Sequence, residues 1–177
     1  MEQFTRETER LILKVMTLAD LPAFYDIMKK DEVGRWMGTG RAKTIDEVRE
    51  RIEMYQHLFE ERGYGCWGVF LKSSGIFIGQ AGLLHIPVDE VGIVYAFAPE
   101  QQGKGYGTEA VAATLKFAFV ELRRPRVYAH TRLTNDRSRH VLEKNGMHYV
   151  GVGDFQGIDM HGYVITKEQW ENEKVSI

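Results

Sequence analysis

The sequence predicts an α/β domain of the α+β type, in which an antiparallel meander is joined to a β-α-β unit. Three observations carry this. Strand-like runs at Cys66–Lys72, Ile76–Ile86 and Glu90–Ala98 succeed one another with only short turns between them, the pattern of a meander. The glycine-rich stretch PEQQGKGYGTEA (Pro99–Ala110) then opens into an apolar-periodic run over Thr108–Leu122. RVYAHTR (Arg126–Arg132) follows as a strand, parallel to the one before the helix. The 177 residues, 44% hydrophobic and 27% charged, suit one domain over 1–177 with a real core.

In chain order, Arg10–Met16 (RLILKVM) reads as a first strand. Thr17 is placed to cap a helix over Leu18–Lys30, with Leu21, Phe24, Ile27 and Met28 on one face and Pro22 near the first turn, where proline is tolerated. Gly34–Gly40 is a glycine-rich connection whose Trp36 and Met37 either line a pocket or fill helix packing. Thr44–Arg62 is the clearest helix. Thr44-x-x-Glu47 is a capping box, Ile45, Val48, Ile52, Tyr55 and Phe59 repeat at three and four, and Gly63 ends it.

Gly79 and Gly82 interrupt the second meander strand and point to a bulge or a close backbone approach. Pro87-Val88-Asp89 turns the chain into the third strand. After Arg132 come a second amphipathic helix over Asn135–Asn145 with Gly146 at its end, a hairpin of Tyr149–Phe155 and Met160–Thr166, and a polar tail over Lys167–Ile177 that finishes as a short helix.

Composition excludes several classes. A net charge of −2 gives no global attraction to nucleic acid or membranes, and no apolar run approaches the roughly 18 residues of a membrane span. The local arginine run Arg123, Arg124, Arg126, Arg132, Arg137, Arg139 has only Tyr128 interleaved, which argues against nucleic-acid stacking. One cysteine, Cys66 beside Trp67, rules out an internal disulfide and reads as a buried inert thiol. No metal-ligand spacing is present. The polar N-terminus does not read as a signal peptide, so the expected setting is the cytoplasm.

The glycine-rich turn is the stretch that carries chemistry. Glycines allow φ > 0 and close approach to a ligand, and the first N–H groups of a helix have no partner within it. Together with the helix dipole they make an anion site. The P-loop pattern fails because position 98 is Ala and position 105 is Gly, and G-x-G-x-x-G fails at Thr108. Gln102-Gly103-Lys104-Gly105-Tyr106-Gly107 meets the third design, Q/R-x-x-G-x-G/A.

This segment resembles the acyl-CoA pyrophosphate loop of the GNAT superfamily of N-acetyltransferases. TERLIL, GYGCWGVFLKSSGIFIGQAGL, YAFAPEQQGKGYGTEA and NDRSRHVLEKNGMHYVG follow in the order of its RimJ/RimL-like branch. The resemblance covers roughly residues 8–170. It implies a mixed, mostly antiparallel sheet of six or seven strands, flanked by about four helices, whose central parallel strands, Val91–Ala98 and Arg126–Arg132, splay apart. It implies acetyl-CoA as co-substrate, with pantetheine held by the backbone of Phe97 and Ala98. Pyrophosphate falls to the N–H groups of Gln102, Gly103, Lys104, Gly105, Tyr106, Gly107 and Thr108. A backbone N–H near Tyr95–Phe97 faces the developing oxyanion.

The resemblance also places Asn135 against pantetheine; a plain helix cap is the alternative reading, and the two are compatible. Arg137 or Arg139 would meet the 3′-phosphate. The usual thiolate-protonating tyrosine is Leu142 here, and Ser138 is the branch's substitute. For the base, Glu90 comes first and His85 second; a solvated strand-end carboxylate is the alternative reading of Glu90. The expected activity is direct transfer of an acetyl group to a primary amine, a protein N-terminus or small molecule, by proximity rather than through a cysteine. The alternative function is a non-catalytic acyl-CoA sensor. The acceptor pocket is expected from the Gly34–Gly40 loop, the Thr44 helix and the hairpin near Gly157–Gly162. Many members of the family form dimers, so a homodimer is compatible with it.

Overall fold

The computed structural model describes residues 4–87, 90–155 and 157–175. Eight strands, β1 (Arg6–Glu7), β2 (Leu11–Val15), β3 (Cys66–Leu71), β4 (Phe77–Ile86), β5 (Glu90–Phe97), β6 (Arg126–Arg132), β7 (His148–Phe155) and β8 (Ile158–Thr166), form one sheet in the order β1-β2-β3-β4-β5-β6-β8-β7. Among the described residues only β5 and β6 run parallel. The meander, the β-α-β unit and the closing hairpin all form. The eighth strand is β1, two residues paired to Leu13 and Ile12, too short to leave a period in the sequence. Val88 and Asp89, and with them the expected orientation of Asp89, lie outside the described residues.

Helices α1 (Leu21–Met28), α2 (Asp31–Gly34), α3 (Ile45–Arg62), α4 (Tyr106–Lys116), α5 (Asp136–Lys144) and α6 (Lys167–Val175) cover the sheet. The helix expected over 18–30 is divided. A 3-10 turn at Leu18–Asp20 precedes α1, with the Asp20 carboxylate accepting the Thr17 N–H at 2.8 Å, and Lys30 then breaks into extended backbone before α2. α4 begins two residues before the expected Thr108, because Gly105 at φ +82° supplies its N-cap. Its last turn relaxes into a π-helical stretch at Phe117–Glu121. α3 follows expectation: Thr44 and Glu47 close their capping box, and Gly63 ends the helix at φ +73°.

Strand alternation divides the core in two. Odd residues of β5 and β6 (Val91, Ile93, Phe97, Val127, Ala129) pack with α4 and with Leu142 of α5. Even residues on the other face meet α1 and α3, where Met28, Val48, Ile52, Tyr55 and Ala96 form a second cluster. Met37 is buried in that cluster and so serves packing, whereas Trp36 stays half-buried with Arg35 over its ring. Cys66 is fully buried and burial pushes its thiol pKa up, as an inert thiol requires. Both strand glycines are close approaches. A Cβ on Gly79 would lie 2.2 Å from the Ala96 carbonyl oxygen, and one on Gly82 2.3 Å from that of Gly65. The register also shifts between Val69 and Phe70, opposite the segment holding Gly79.

Candidate active site

β5 and β6 pair only at Gly92–Tyr128 and Ile93–Ala129. Beyond Ile93 they part, while β6 stays paired with β8 along its whole length. The Ala98 N–H donates to the Ile78 carbonyl at 2.9 Å, on the β4 side. Alternation therefore turns the Tyr95 and Phe97 N–H groups the other way, into the gap. Of the two residues expected to meet pantetheine through their backbone, Phe97 faces the gap and Ala98 has its N–H engaged with β4.

The gap leads to the glycine loop. Gly103 at φ +76° and Gly105 at φ +82° turn the chain into α4, whose N-cap has no side-chain hydrogen bond. α3 and α5, by contrast, are capped by Thr44 and Asn135. The N–H groups of Tyr106, Gly107 and Thr108 are thus left for an anion. The Gln102 N–H closes a turn on the Pro99 carbonyl (3.2 Å), so this residue contributes through its side chain instead. Its amide donates to the Phe97 carbonyl (3.0 Å) and accepts from Arg137 (3.0 Å), joining the end of β5 to α5. Lys104 extends to Gln101 at the loop's outer edge. Arg10, which sequence spacing does not single out, braces the loop by donating to the Lys104 carbonyl while pairing with Glu109 and covering Tyr106.

On the α4–α5 face, Asn135 accepts the Ser138 N–H at 3.3 Å, the helix-cap role. The Tyr95 hydroxyl sits 2.7 Å from Ser138 Oγ and donates to the Ser138 carbonyl at 3.1 Å. Burial holds the Tyr95 phenol protonated by raising its pKa. Leu142 is buried in the core. Arg139 turns away from the loop to Tyr163 and Glu143, which leaves Arg137 as the arginine beside it.

On the opposite face, even residues of β5 and β6 wall a cavity of about 390 Å³ lined by Ile86, Pro87, Glu90, Tyr128, His130 and Phe155 among others. A smaller hollow of about 170 Å³ along the β7–β8 hairpin shares His130 and Asp154 with it. Glu90 pairs with Arg126 at 3.1 Å and lies three residues before Ile93, so about 10 Å short of the point where the strands part. His130 is one residue past the last ladder pair. Its ring stacks on Phe155 with centroids 4.2 Å apart, and burial lowers its pKa, keeping the imidazole neutral and able to accept a proton. His85 is on the other face of the sheet from Glu90, 3.3 Å from the Tyr64 hydroxyl. Neither Tyr95 nor His130 stands out in the sequence, because both sit at ordinary strand positions. Only the parting of the strands puts both beside the gap, on opposite faces of the sheet.

Comparison with known proteins decides the family. The model of the acetyltransferase (GNAT) domain matches residues 10–148. The chain belongs to the GNAT acetyltransferase family. It is an acyltransferase enzyme. This GNAT acetyltransferase is 31% identical over 135 residues to a probable N-acetyltransferase of Bacillus subtilis, YjcK, covering 75% of this chain and 71% of the relative. A second, uncharacterized N-acetyltransferase of that organism, YoaA, is 27% identical over 150 residues (82% and 84% covered). The spermidine N(1)-acetyltransferase of Vibrio cholerae is 22% identical over 139 residues (77% and 78%). Among solved structures, an acetyltransferase of Agrobacterium tumefaciens superposes with a TM-score of 0.80 at 26% identity, covering 91% and 93% of the two chains. RimL, a ribosomal alpha-N-protein acetyltransferase in complex with coenzyme A, does so at 0.76 and 18%, over 90% and 95%. Among the described residues, no helix of this GNAT acetyltransferase is long and apolar enough to cross a membrane.

Proposed function

We propose that the chain is a single acetyl-CoA-dependent N-acetyltransferase domain that passes the acetyl group directly from the thioester to a primary amine. The observation that carries this is the parallel pair that ends after two ladder positions beside an uncapped helix N-terminus. That arrangement suits an elongated thioester with a pyrophosphate at one end. The N–H groups of Gly103–Thr108 hold the pyrophosphate, Arg137 stands beside the loop for the 3′-phosphate, and the backbone of Tyr95 and Phe97 lines the pantetheine.

The two faces of the sheet then take different parts of the reaction. On the cavity face His130 accepts the proton that the attacking amine loses, as the new C–N bond forms. Glu90 and Arg126 close the far end of that cavity. In the gap, a Tyr95 or Phe97 N–H stabilises the oxyanion. On the α5 face the C–S bond breaks toward Ser138, whose hydroxyl donates a hydrogen bond to the leaving thiolate. The single Tyr95 phenol proton, switched from the Ser138 carbonyl to Ser138 Oγ, leaves the serine proton free to point at the sulfur. The serine in place of the usual tyrosine supports the RimJ/RimL-like branch.

Incubation with acetyl-CoA and a panel of peptides, amino acids and polyamines, read as free thiol, tests the activity. Turnover of at least one class is expected, and coenzyme A binding without thiol release from any of them would overturn it. Tyr95→Phe is expected to lower kcat about tenfold, the weight of one hydrogen bond that orients the serine, with KM for acetyl-CoA unchanged. An unchanged kcat would remove Tyr95 from the site.

A further inference from the structure

Three cations from three different elements converge on the Gly38-Thr39-Gly40 segment. Lys43 Nζ donates to Thr39 Oγ1 and to the Arg41 carbonyl, both at 2.9 Å. Arg132, at the end of β6, donates from one terminal nitrogen to the Gly38 carbonyl at 2.8 Å, and a Cβ on Gly40 would lie 2.7 Å from that same nitrogen. Arg51 of α3 reaches the segment as well, its guanidinium 3.8 Å from where a Cβ on Gly38 would stand, while it donates to the Tyr55 hydroxyl at 3.1 Å.

Among the described residues none of the three forms an ion pair, and Glu47 acts on Lys43 and Arg51 only from longer range. Among the described residues no carboxylate lies within 4.0 Å of any of the three. Two acidic groups of the neighbouring elements are engaged elsewhere: Glu47 pairs with Arg41 and caps α3, and Asp31 accepts the Ala42 N–H. Lys43 is only 5% exposed, and Arg132 Nε is enclosed without a partner. A chain of net charge −2 has therefore gathered unpaired positive charge in one place, and enclosing a cation without an anion is unfavourable. The mutual repulsion shows in Lys43, whose pKa is lowered by burial and then by Arg51.

The place matters. Arg132 is two residues beyond His130 on the same face of β6, about 7 Å along the strand. We propose that the amine acceptor of this enzyme carries a carboxylate, and that Lys43, Arg51 and Arg132 form the subsite that binds it while the amine faces His130. The 7 Å separation suits a compact acceptor, an amino acid or an acidic residue close to a peptide N-terminus. A polycation such as spermidine meets three like charges there. This inference rests on the acetyltransferase reading above and narrows it to an acceptor class.

The test compares matched acceptors in the thiol-release assay: aspartate and glutamate against their diamides, Ala-Asp against Ala-Lys, and spermidine. The free amino acids and the dipeptides separate the two sources of the carboxylate. Acidic members are expected to exceed their neutral or basic counterparts at least tenfold in kcat/KM, and both Arg132→Gln and Arg51→Gln to bring that ratio toward one. Thermal unfolding checks that each variant is folded, and the conservative Arg132→Lys is expected to restore part of the ratio. Calorimetric titration of the wild type and Arg132→Gln with aspartate, without acetyl-CoA, reads the subsite apart from the chemistry. Spermidine or the diamides turning over as fast as the acids would overturn the carboxylate subsite while the acetyltransferase stands. Arg132-dependent aspartate binding with no turnover of any amine would sustain the subsite and overturn the transferase reading. No aspartate binding together with no preference would end the proposal.

Discussion

Replacing His130 by glutamine is expected to lower kcat about 100-fold, the lower end of what a positioned base contributes, while KM for acetyl-CoA moves little. The separation follows from geometry: the loop and gap that face the cofactor end belong to β5 and α4, whereas His130 projects from β6 into the cavity on the other face. The pH dependence provides an independent reading. Burial lowers the His130 pKa below its usual 6.5 in the free enzyme, so in the wild type kcat/KM should rise with pH through a midpoint below 6.5 and be flat near neutrality. A base with a raised pKa would put that midpoint on the alkaline side instead. The limb should vanish in His130→Gln. It should also vanish in His130→Phe, which keeps a ring against Phe155 and so separates lost chemistry from lost stacking. If the limb survives in both variants and disappears in Glu90→Gln, the base is Glu90 and reaches the amine through water.

Gly82→Ala is the substitution expected to damage the fold most for the least change in side-chain volume. β3 and β4 run so close at Cys66–Gly82 that an added methyl would lie 2.3 Å from the Gly65 oxygen and 2.5 Å from the Cys66 Cα. Neither contact is the end of a flexible side chain. Backbone must move, carrying Cys66 and Trp67 with it, and both are fully buried. A cost of about 3 kcal/mol is expected, at the upper end for overpacking, which for a chain of this size lowers Tm by about 6–12 °C. Chemical denaturation and a thermal scan check it. Gly103→Ala is the contrast: nothing lies within 4 Å of its Cβ, and only its φ of +76° resists, so its cost should be about 1 kcal/mol. Equal effects at the two sites would show that crowding is not what keeps residue 82 a glycine.

Much of the fold was legible because its signals are local. The α3 capping box, its three-and-four repeat and Gly63 lie within twenty residues of one another; the box and Gly63 form as read, and the repeat is buried from Val48 to Phe59 while Ile45, in the first turn, stays exposed. The glycine loop was legible for the same reason, since positive φ at Gly103 and Gly105 is a demand on single residues. What escaped were relations between distant segments. Arg10 supports the loop across 94 residues of sequence, and Tyr95 meets Ser138 across 43. No period or spacing encodes such pairs. The choice of proposed base is a further instance. Glu90 has the right chemistry and shares a strand face with Gly92, but its distance from the gap depends on where β5 and β6 stop pairing, which is a property of both strands together. His130 looked like one more residue of RVYAHTR until that point was fixed.

The two-pair contact between β5 and β6 has a mechanical meaning as well. Five strands, β1 to β5, form one plate, and β6, β8 and β7 form another, and the ladder hydrogen bonds uniting them occupy only a pair of positions at one end. The sheet is hinged there and open at the other end. A molecule lying in the wedge replaces the missing rungs and staples the plates along their full length. On the proposed binding mode, substrate capture and stiffening are then one event, and the backbone amides of β5 and β6 are expected to exchange more slowly with coenzyme A bound than without it.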